Sequence, residues 1–142
     1  DHKSVRARYL RGDEAIVDVS DDNNDALMYE ELEPTLIVPP GTFILTTTLE
    51  RVGIPDDLVA NVLGRSSLGR LGISVHQTAG WIDPGYTGNI TLEIANFSNS
   101  VVSLHPGERV GQLVFFPLDS PVEQGYDGQY QGDKGAEPSA GL

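Results

Sequence analysis

The chain has 142 residues, of which 21 are acidic and 9 basic, so its formal net charge is −12. Such an acidic chain repels a nucleic-acid backbone and has no polybasic stretch for an anionic membrane, which argues against both as partners. Because the chain contains no cysteine and only three histidines, the sequence excludes disulfides, thiol catalysis and cysteine-ligated zinc, and it makes a histidine metal cluster improbable.

The charge is unevenly distributed along the chain. Residues 1–60 carry 5 basic and 13 acidic groups, residues 61–118 carry three of each, and residues 119–142 carry one and five. The acidic flanks would suit a salt-rich cytoplasm, in which case stability would rise with added KCl. No apolar run approaches the roughly 18 residues of a membrane span and no signal peptide opens the chain, so we expect a cytoplasmic protein.

The length fits a single domain over residues 1–142. We expect an acidic, irregular and truncated N-terminal part in residues 1–35, a core in residues 36–121, and a flexible tail in residues 122–142. The tail is rich in glycine and poor in apolar residues, which is typical of segments that do not build a core.

Short apolar runs separated by glycine and proline predict strands. Residues 36–38 read as a strand, followed by the turn Pro39-Pro40-Gly41, and residues 43–49 are rich in β-branched side chains. Residues 54–63 are ambiguous between a strand and a helical turn that starts at Pro55.

The second half of the chain gives the clearest strand. In residues 88–96 the apolar Ile90, Leu92 and Ile94 alternate with smaller or polar side chains. Residues 101–104 and 110–118, joined by His105-Pro106-Gly107, read as a hairpin. The fold class is therefore mainly β, a barrel or sandwich of short strands with little helix.

Four polar features crowd into the neutral middle of the chain. They are GRSSLGR at 64–70, HQTAG at 76–80, IDPGY at 82–86 and Glu93. Taken singly, the first is either an ordinary loop or a phosphate-binding segment with hydroxyls, N–H groups and guanidinium groups, and it lacks the spacing of a P-loop. The Asp83-Pro84-Gly85-Tyr86 segment is a turn on composition alone.

Glu93 would ordinarily be a solvated carboxylate on the polar face of its strand. Its same-face neighbours Thr91 and Ala95 are small and uncharged, which leaves room for a pocket where a carboxyl group acts as general acid and base. His76 is more often a packed histidine than a catalyst. Trp81 and Tyr86 read as packing aromatics, with base stacking open for Tyr86.

Taken together, these motifs resemble the dCTP deaminase family of the dUTPase-like superfamily. The family pattern runs G-[RK]-S-S-L-[AG]-R-L-G, H-x-T-A, I-D-P-G-[WFY]-x-G, [IV]-x-L-E and G-Q-L, and it stays in register over about residues 36–126. The form HQTAGWID is most similar to the bifunctional members, which convert dCTP to dUMP. The resemblance implies a distorted, jelly-roll-like β-barrel.

The resemblance also implies a mechanism. Glu93 would shuttle protons during attack of water on C4 of cytosine, and Ser66, Arg70 and the Ala79 carbonyl would hold that water. Asp83 would bind the deoxyribose 3′-hydroxyl and, in bifunctional relatives, activate water at the α-phosphate. The implied substrate-binding set is Arg65, Ser66, Ser67, Leu68, Gly69, Arg70, Asp83, Thr91, Leu92, Glu93, Gln112 and Tyr126.

The implied ligands are dCTP, with dUTP as a further substrate and dTTP as an inhibitor left open. Magnesium would be carried by the triphosphate without protein ligands of its own, no zinc is needed, and the implied assembly is a homotrimer with sites between subunits. The tail departs from the family, with Gln129 and Asp133 at positions of a lysine and a glutamine and with Lys134 as a substitute cation. A monofunctional dUTPase and a non-catalytic nucleotide-binding trimer therefore remain alternatives.

Overall fold

A computed structural model describes residues 5–10 and 28–139. In that part of the chain ten strands and one helical turn are present. In chain order they are β1 (Val5–Leu10), β2 (Met28–Glu33), β3 (Leu36–Val38), β4 (Phe43–Gly53), β5 (Leu58–Gly64), α1 (Ser66–Gly69), β6 (Ile73–Ser74), β7 (Trp81–Ile82), β8 (Thr87–Asn96), β9 (Val102–Leu104) and β10 (Gly111–Pro117).

The strands form three sheets around one apolar core. Their orders are β2-β1-β4-β8-β6, β10-β5-β7 and β3-β9. Buried side chains from all three sheets, among them Leu36, Ile44, Val62 and Ile94, pack into the same cluster. The prediction of a mainly β fold of short strands with little helix is confirmed.

The alternation in β8 fixes which side of the sheet faces the core. Ile90, Leu92 and Ile94 are buried, whereas Thr91 and Glu93 on the other face are half-buried. This is the two-residue period of a strand with one face on a core. The predicted strand is therefore confirmed, and Glu93 lies on the face that is turned away from the core.

The predicted hairpin between residues 101–104 and 110–118 is wrong. Both runs are strands, but β9 pairs with β3, while β10 pairs with β5. Their connection makes a tight turn, in which the Glu108 N–H donates to the His105 carbonyl over 3.1 Å, and the chain then passes to another sheet. Apolar alternation identifies a strand, but its partner depends on how the barrel closes, which a local pattern does not contain.

Residues 1–35 are not irregular where the structure describes them. β1 pairs antiparallel with β2 and with β4, and the register places Arg8 opposite Glu30. The sequence of β2, MYEELE, is rich in glutamate and does not show the apolar alternation typical of a strand. Charged residues are common in strands at the edge of a sheet, so a prediction from apolar residues misses such a strand. The ambiguous residues 54–63 resolve as a turn followed by β5, which begins at Leu58.

Asn96 at the end of β8 joins three backbone segments. Its Nδ2 donates to the carbonyls of Val38 and Ser100, both over 2.8 Å, and its Oδ1 accepts from the N–H and the hydroxyl of Ser98 at 2.9 and 2.8 Å. The side chain is 1% exposed. A buried amide is tolerated there because its donors and its acceptor are all used.

The tail segment, residues 122–139, contains no helix or strand, yet it is held against the barrel. The N–H of Val122 donates to the Asp56 carbonyl, that of Gly132 to the Thr87 carbonyl, and Asn89 donates to the Asp133 carbonyl. Ala136 is fully buried against Leu45. The anchors are mainly backbone groups, which a count of apolar residues does not register, and the flexibility of the tail stays a prediction.

Asp133 lies in the tail segment where it passes β8. Burial, with a smaller contribution from the nearby Glu137 carboxylate, raises the pKa of Asp133 from 3.8 to about 6. The ionised form is therefore disfavoured in the docked tail relative to the unfolded chain. The docked tail is therefore least stable at a pH where Asp133 is ionised both in the docked tail and in the unfolded chain.

The Asn96 network predicts a stability loss on truncation. Asn96→Ala should lower the free energy of unfolding by about 3 kcal/mol, because it leaves buried carbonyl and N–H groups without partners. Urea unfolding monitored by circular dichroism measures the change. Asn99→Ala, an exposed amide three residues along the same turn, is the matched control and should shift the value by less than about 0.5 kcal/mol. Equal losses in both variants would contradict the network's role.

The raised pKa of Asp133 predicts a pH-dependent tail. As pH rises from 3.8 to about 6, the unfolded chain releases the Asp133 proton before the folded chain does, so the stability of the docked tail falls and then levels off. Asp133→Asn should remove this fall. Hydrogen exchange of the Asn89 amide, which donates to the Asp133 carbonyl over 2.9 Å, measures docking between pH 4 and 7. Parallel pH profiles for both proteins would refute the assignment.

Candidate active site

Glu93 lies at the centre of the polar face of β8. Its Oε2 accepts the backbone N–H of Gln77 over 2.6 Å, and the Gln77 side chain donates back to the Glu93 carbonyl over 3.1 Å. In the part of the chain that the structure describes, Oε1 makes no hydrogen bond, so one carboxylate oxygen is fixed and the other is available. A half-buried carboxylate held in this way has the geometry of a general acid and base.

Gln77 is a site residue that the sequence analysis did not single out. It stands in the HQTAG segment, whose glycine carbonyl, at Gly80, accepts the N–H of Val62 over 2.7 Å. Because the segment is tied to β5 at Gly80 and to β8 through Gln77, it forms one wall beside Glu93. Gln77 belongs to a motif that the sequence analysis had identified. Its contact with Glu93 is made by the backbone N–H, which every residue except proline has, so the residue type did not reveal it.

The GRSSLGR segment forms the single turn α1. Arg65 precedes it in an extended conformation, and the Nη1 atom of Arg65 donates to the Arg109 carbonyl over 2.7 Å, which ties α1 to the β9–β10 connection. Ser66, Ser67 and Arg70 are exposed. Two hydroxyls and a guanidinium group exposed on one helical turn are suited to an anionic ligand.

Asp83 begins a tight turn after β7. Pro84 follows it, Gly85 has φ of 83°, and the Tyr86 N–H donates to the Asp83 carbonyl over 3.2 Å. These are the features of a type II turn, which needs a glycine at its third position. The turn presents the Asp83 side chain to solvent while Tyr86 enters the core.

Tyr86 is a structural residue. Its hydroxyl donates to the Asn89 carbonyl over 2.6 Å, and its ring meets that of Tyr126 edge-on, with centroids 5.8 Å apart. Burial, then the charge of Asp133, raises the pKa of Tyr86 to about 12. The open question of base stacking is therefore answered for the described conformation, in which the ring is 8% exposed and packed.

The predicted residues fall into separate places on one chain. Across residues 5–10 and 28–139, no hydrogen bond joins Glu93 to Ser66, Arg70 or Asp83. The Leu92 side chain is buried in the core, so only its backbone is available to a base. Thr91 is engaged by the tail segment, since its hydroxyl accepts the N–H of Glu137 over 3.2 Å.

The remaining predicted positions have simpler surroundings. Leu68 is half-buried against the core, Gly69 ends α1, and Ala79 is exposed beside Gly80. Gln112 is exposed on β10, and Tyr126 packs on Tyr86.

A cavity of about 730 Å³ lies on the core side of β8, between it and the β9–β10 connection. Its walls include the apolar Ile90, Leu92 and Leu113. Because Glu93 points from the opposite face of β8, this cavity and the candidate site are different places. Gln112 and Leu92 are the predicted residues that line it.

Among the described residues, no group of three or more histidine, aspartate or glutamate side chains is arranged to hold a metal ion. No described helix has the length and apolar character needed to cross a membrane.

Comparison with known proteins relates this arrangement to named relatives. A family model described as dCTP deaminase-like matches residues 2–118. A protein of Methanosphaera stadtmanae named "dCTP deaminase, dUMP-forming" is 50% identical over 129 residues, which cover 83% of this chain and 65% of that protein. One of Dictyoglomus turgidum with the same name is 48% identical over 133 residues, covering 88% and 68%.

Solved structures show the same fold. The deaminase of 2′-deoxycytidine 5′-triphosphate from Agrobacterium tumefaciens aligns with a TM-score of 0.69 at 24% identity, over 85% of this chain and 38% of that one. The dUTPase of EIAV aligns with a TM-score of 0.54 at 26% identity, over 67% and 78%. The predicted dUTPase-like barrel is confirmed.

The chain spans about two thirds of the length of the curated relatives that it matches. Within that span the family model covers most of the residues, including α1, the HQTAG segment, the Asp83 turn and β8. The chain belongs to the dCTP deaminase-like family.

Proposed function

We propose that the protein deaminates dCTP hydrolytically and then cleaves the triphosphate, giving dUMP and diphosphate. The observation that carries the proposal is Glu93, a half-buried carboxylate with one oxygen fixed by the Gln77 N–H and the other unpaired among the described residues. Relatives named "dCTP deaminase, dUMP-forming", at 50% and 48% identity, support this choice of reaction.

In the first step Glu93 takes a proton from the water that attacks C4 of cytosine. It delivers that proton to N3, then takes the hydroxyl proton of the tetrahedral intermediate and gives it to the departing amine, so the C4–N bond breaks, ammonia leaves, and dCTP and water give dUTP and ammonia. Ser66, Arg70 and the Ala79 carbonyl hold the water. The bond from Gln77 fixes the carboxylate in advance, which lowers the cost of orienting it in the transition state.

In the second step Asp83 activates a water molecule for attack on the α-phosphate. Its side chain is exposed at the type II turn, where it also reaches the 3′-hydroxyl of the deoxyribose. The exposed Ser66 and Ser67 hydroxyls and the guanidinium group of Arg65 bind phosphate oxygens, and the Nη1 atom of Arg65 also donates to the Arg109 carbonyl in the β9–β10 connection.

Magnesium enters with the nucleotide. Exposed hydroxyls such as those of Ser66 and Ser67 are weak ligands on their own, so the ion would be held mainly by the phosphate oxygens of the nucleotide. When bound, the ion would neutralise charge on the triphosphate. Of the carboxylates in this chain, Asp83 is the one proposed to activate the water that attacks the α-phosphate.

We further propose a homotrimer whose sites lie between subunits. One argument is that, among the described residues, no hydrogen bond joins Glu93 to the turn from Ser66 to Arg70. Another is an aromatic patch on the outer face of the β10-β5-β7 sheet, where Trp81 is 60% and Phe116 45% exposed, with ring centroids 5.6 Å apart. Adjacent exposed aromatic side chains are characteristic of protein interfaces.

Product analysis tests the function directly. Incubation of the protein with dCTP and magnesium should give dUMP and diphosphate. Release of dUTP alone would support a deaminase without the second step. Turnover of dUTP without consumption of dCTP would indicate the dUTPase alternative. The fold that this chain shares with EIAV dUTPase is the reason for testing it. Binding of dCTP without turnover would indicate the non-catalytic alternative, which the acidic Asp133 in the tail motivates.

Two substitutions separate the steps. Glu93→Gln should lower deamination by at least about 10³-fold because the amide cannot accept a proton, while dCTP affinity changes by less than about tenfold. Asp83→Asn should slow phosphate cleavage, and with it dUMP formation, more than it slows deamination. Rapid-quench kinetics and calorimetry measure these effects, with the exposed Glu123→Gln as the matched control. Full activity of Glu93→Gln would remove that residue from the mechanism.

The aromatic patch predicts the behaviour of the assembly. Phe116→Glu should convert a trimer into a monomer, because it buries a carboxylate in an apolar contact, and dCTP turnover should be lost with it. Light scattering at matched concentrations measures the mass. Ile37→Glu, a similarly exposed side chain on β3, is the control for an added charge. A monomeric wild type that retains full activity would contradict the shared site.

A further inference from the structure

The Gln131 side chain makes three hydrogen bonds, two of them to the region of the Asp83 turn and one within the tail segment. Its Oε1 accepts the N–H of Thr87 over 2.8 Å, and its Nε2 donates to the carbonyls of Gly85 and Tyr126 over 3.0 and 2.9 Å. A glutamine amide offers both a donor and an acceptor, so one side chain can bind a carbonyl and an N–H that lie on either side of Tyr86.

The Asp83 turn is held on two sides. On the barrel side, the N–H of Gly85 donates to the Ile54 carbonyl over 2.8 Å, and the N–H of Ile54 donates to the Tyr86 carbonyl over 2.9 Å. On the tail side, the N–H of Tyr126 donates to the Pro84 carbonyl over 2.7 Å, and Gln131 binds the Gly85 carbonyl. The carbonyls of both central turn residues, Pro84 and Gly85, therefore accept hydrogen bonds from the tail segment.

These tail bonds select one form of the turn. A Pro-Gly turn interchanges between types II and I by rotating its central peptide, which reverses the direction of the Pro84 carbonyl. The bond from the Tyr126 N–H is made only when the Pro84 carbonyl points as it does in the type II form, and the bond from Gln131 holds the Gly85 carbonyl at the end of the turn, which this rotation does not reverse. The close packing of Gly85 on Gly125, where an added Cβ would lie 2.7 Å from the Gly125 Cα, leaves little space for another arrangement.

We propose that Gln131 is a positioning residue that holds the Asp83 turn for phosphate cleavage. The inference rests on the proposed function, because the step that it serves is the one assigned to Asp83. Deamination depends on Glu93, whose partner Gln77 belongs to another segment and is not touched by the Gln131 amide. Gln131 therefore governs how the two products are partitioned, more than how fast dCTP is consumed.

The rest of the tail is anchored independently of this side chain. Backbone bonds from Gly132 to Thr87 and from Asn89 to Asp133, and the contact of Glu137 with Thr91, do not use it. Gln131→Ala therefore leaves the tail docked and keeps the bond from Tyr126 to the Pro84 carbonyl, but it removes the side-chain bonds to Gly85 and Thr87 that hold the end of the turn. Small displacements of a catalytic group lower rates by up to about 10²-fold, so a shift of the Asp83 turn has a measurable effect.

The test uses the whole chain with dCTP and magnesium and compares wild type, Gln131→Ala, Gln131→Glu and the control Gln124→Ala, an exposed glutamine of the same segment. In Gln131→Ala the ratio of dUTP to dUMP should rise by at least about tenfold with dCTP consumption within about threefold. Gln131→Glu keeps an acceptor for Thr87 but loses the donor for Gly85, so its ratio should also rise. Gln124→Ala should match wild type.

Hydrogen exchange of the Thr87 amide gives a readout that does not depend on activity. Its exchange should speed up by about tenfold in Gln131→Ala and stay near wild type in Gln131→Glu. An equal fall in both products, or an unchanged ratio, would overturn the positioning role while leaving the proposed function intact. A wild type that forms no dUMP would overturn the second step of the proposed function and the positioning role together.

Discussion

The pairing of β4 with β8 is the constraint on which the rest of the structure depends. It joins Phe43 through Gly53 to Thr87 through Asn96, with one shift of register between Thr47 and Arg51. Because side chains alternate along a strand, this register decides that Ile90, Leu92 and Ile94 enter the core while Thr91 and Glu93 face outward. A slip of one residue would bury the carboxylate and expose the core, so fold and site are specified together.

The same pairing explains why polar side chains are used so heavily at the ends of β8. Asn89 donates to the carbonyls of Thr48 and Glu50 at the irregular part of β4, over 3.0 and 3.1 Å, and Asn96 ties the other end to Val38 and Ser100. A register shift leaves backbone groups without ladder partners, and an amide can replace them. The two asparagines thus stabilise the strand between them and keep the Glu93 face in a fixed position.

The sequence alone predicts most of this where the information is local. Alternation over residues 88–96 marks a strand and its buried face, and the Pro-Gly pair marks the turn that carries Asp83. The partner of a strand can lie far away in the sequence. The local pattern therefore predicts a hairpin of β9 and β10, whereas the structure pairs β9 with β3 and β10 with β5. Backbone contacts are also silent in a sequence. The Gln77 N–H at Glu93 and the carbonyls of Pro84 and Gly85 that bind the tail leave no side-chain signature.

The acidity of the chain is placed so that it does not oppose an anionic substrate. Residues 61–118 balance three basic against three acidic groups, and two of the basic groups, Arg65 and Arg70, flank α1. The excess of negative charge lies in the first 60 residues and in the tail. The tail is the exception, because Asp133 is carried to the edge of β8, where burial raises its pKa to about 6. With that pKa the Asp133 carboxyl is still mostly ionised at neutral pH, so its position beside β8 is not explained by loss of charge. The tail is held near the Asp83 turn by backbone hydrogen bonds, such as those from Tyr126 to Pro84 and from Gly132 to Thr87, which are formed whatever the charge of the chain.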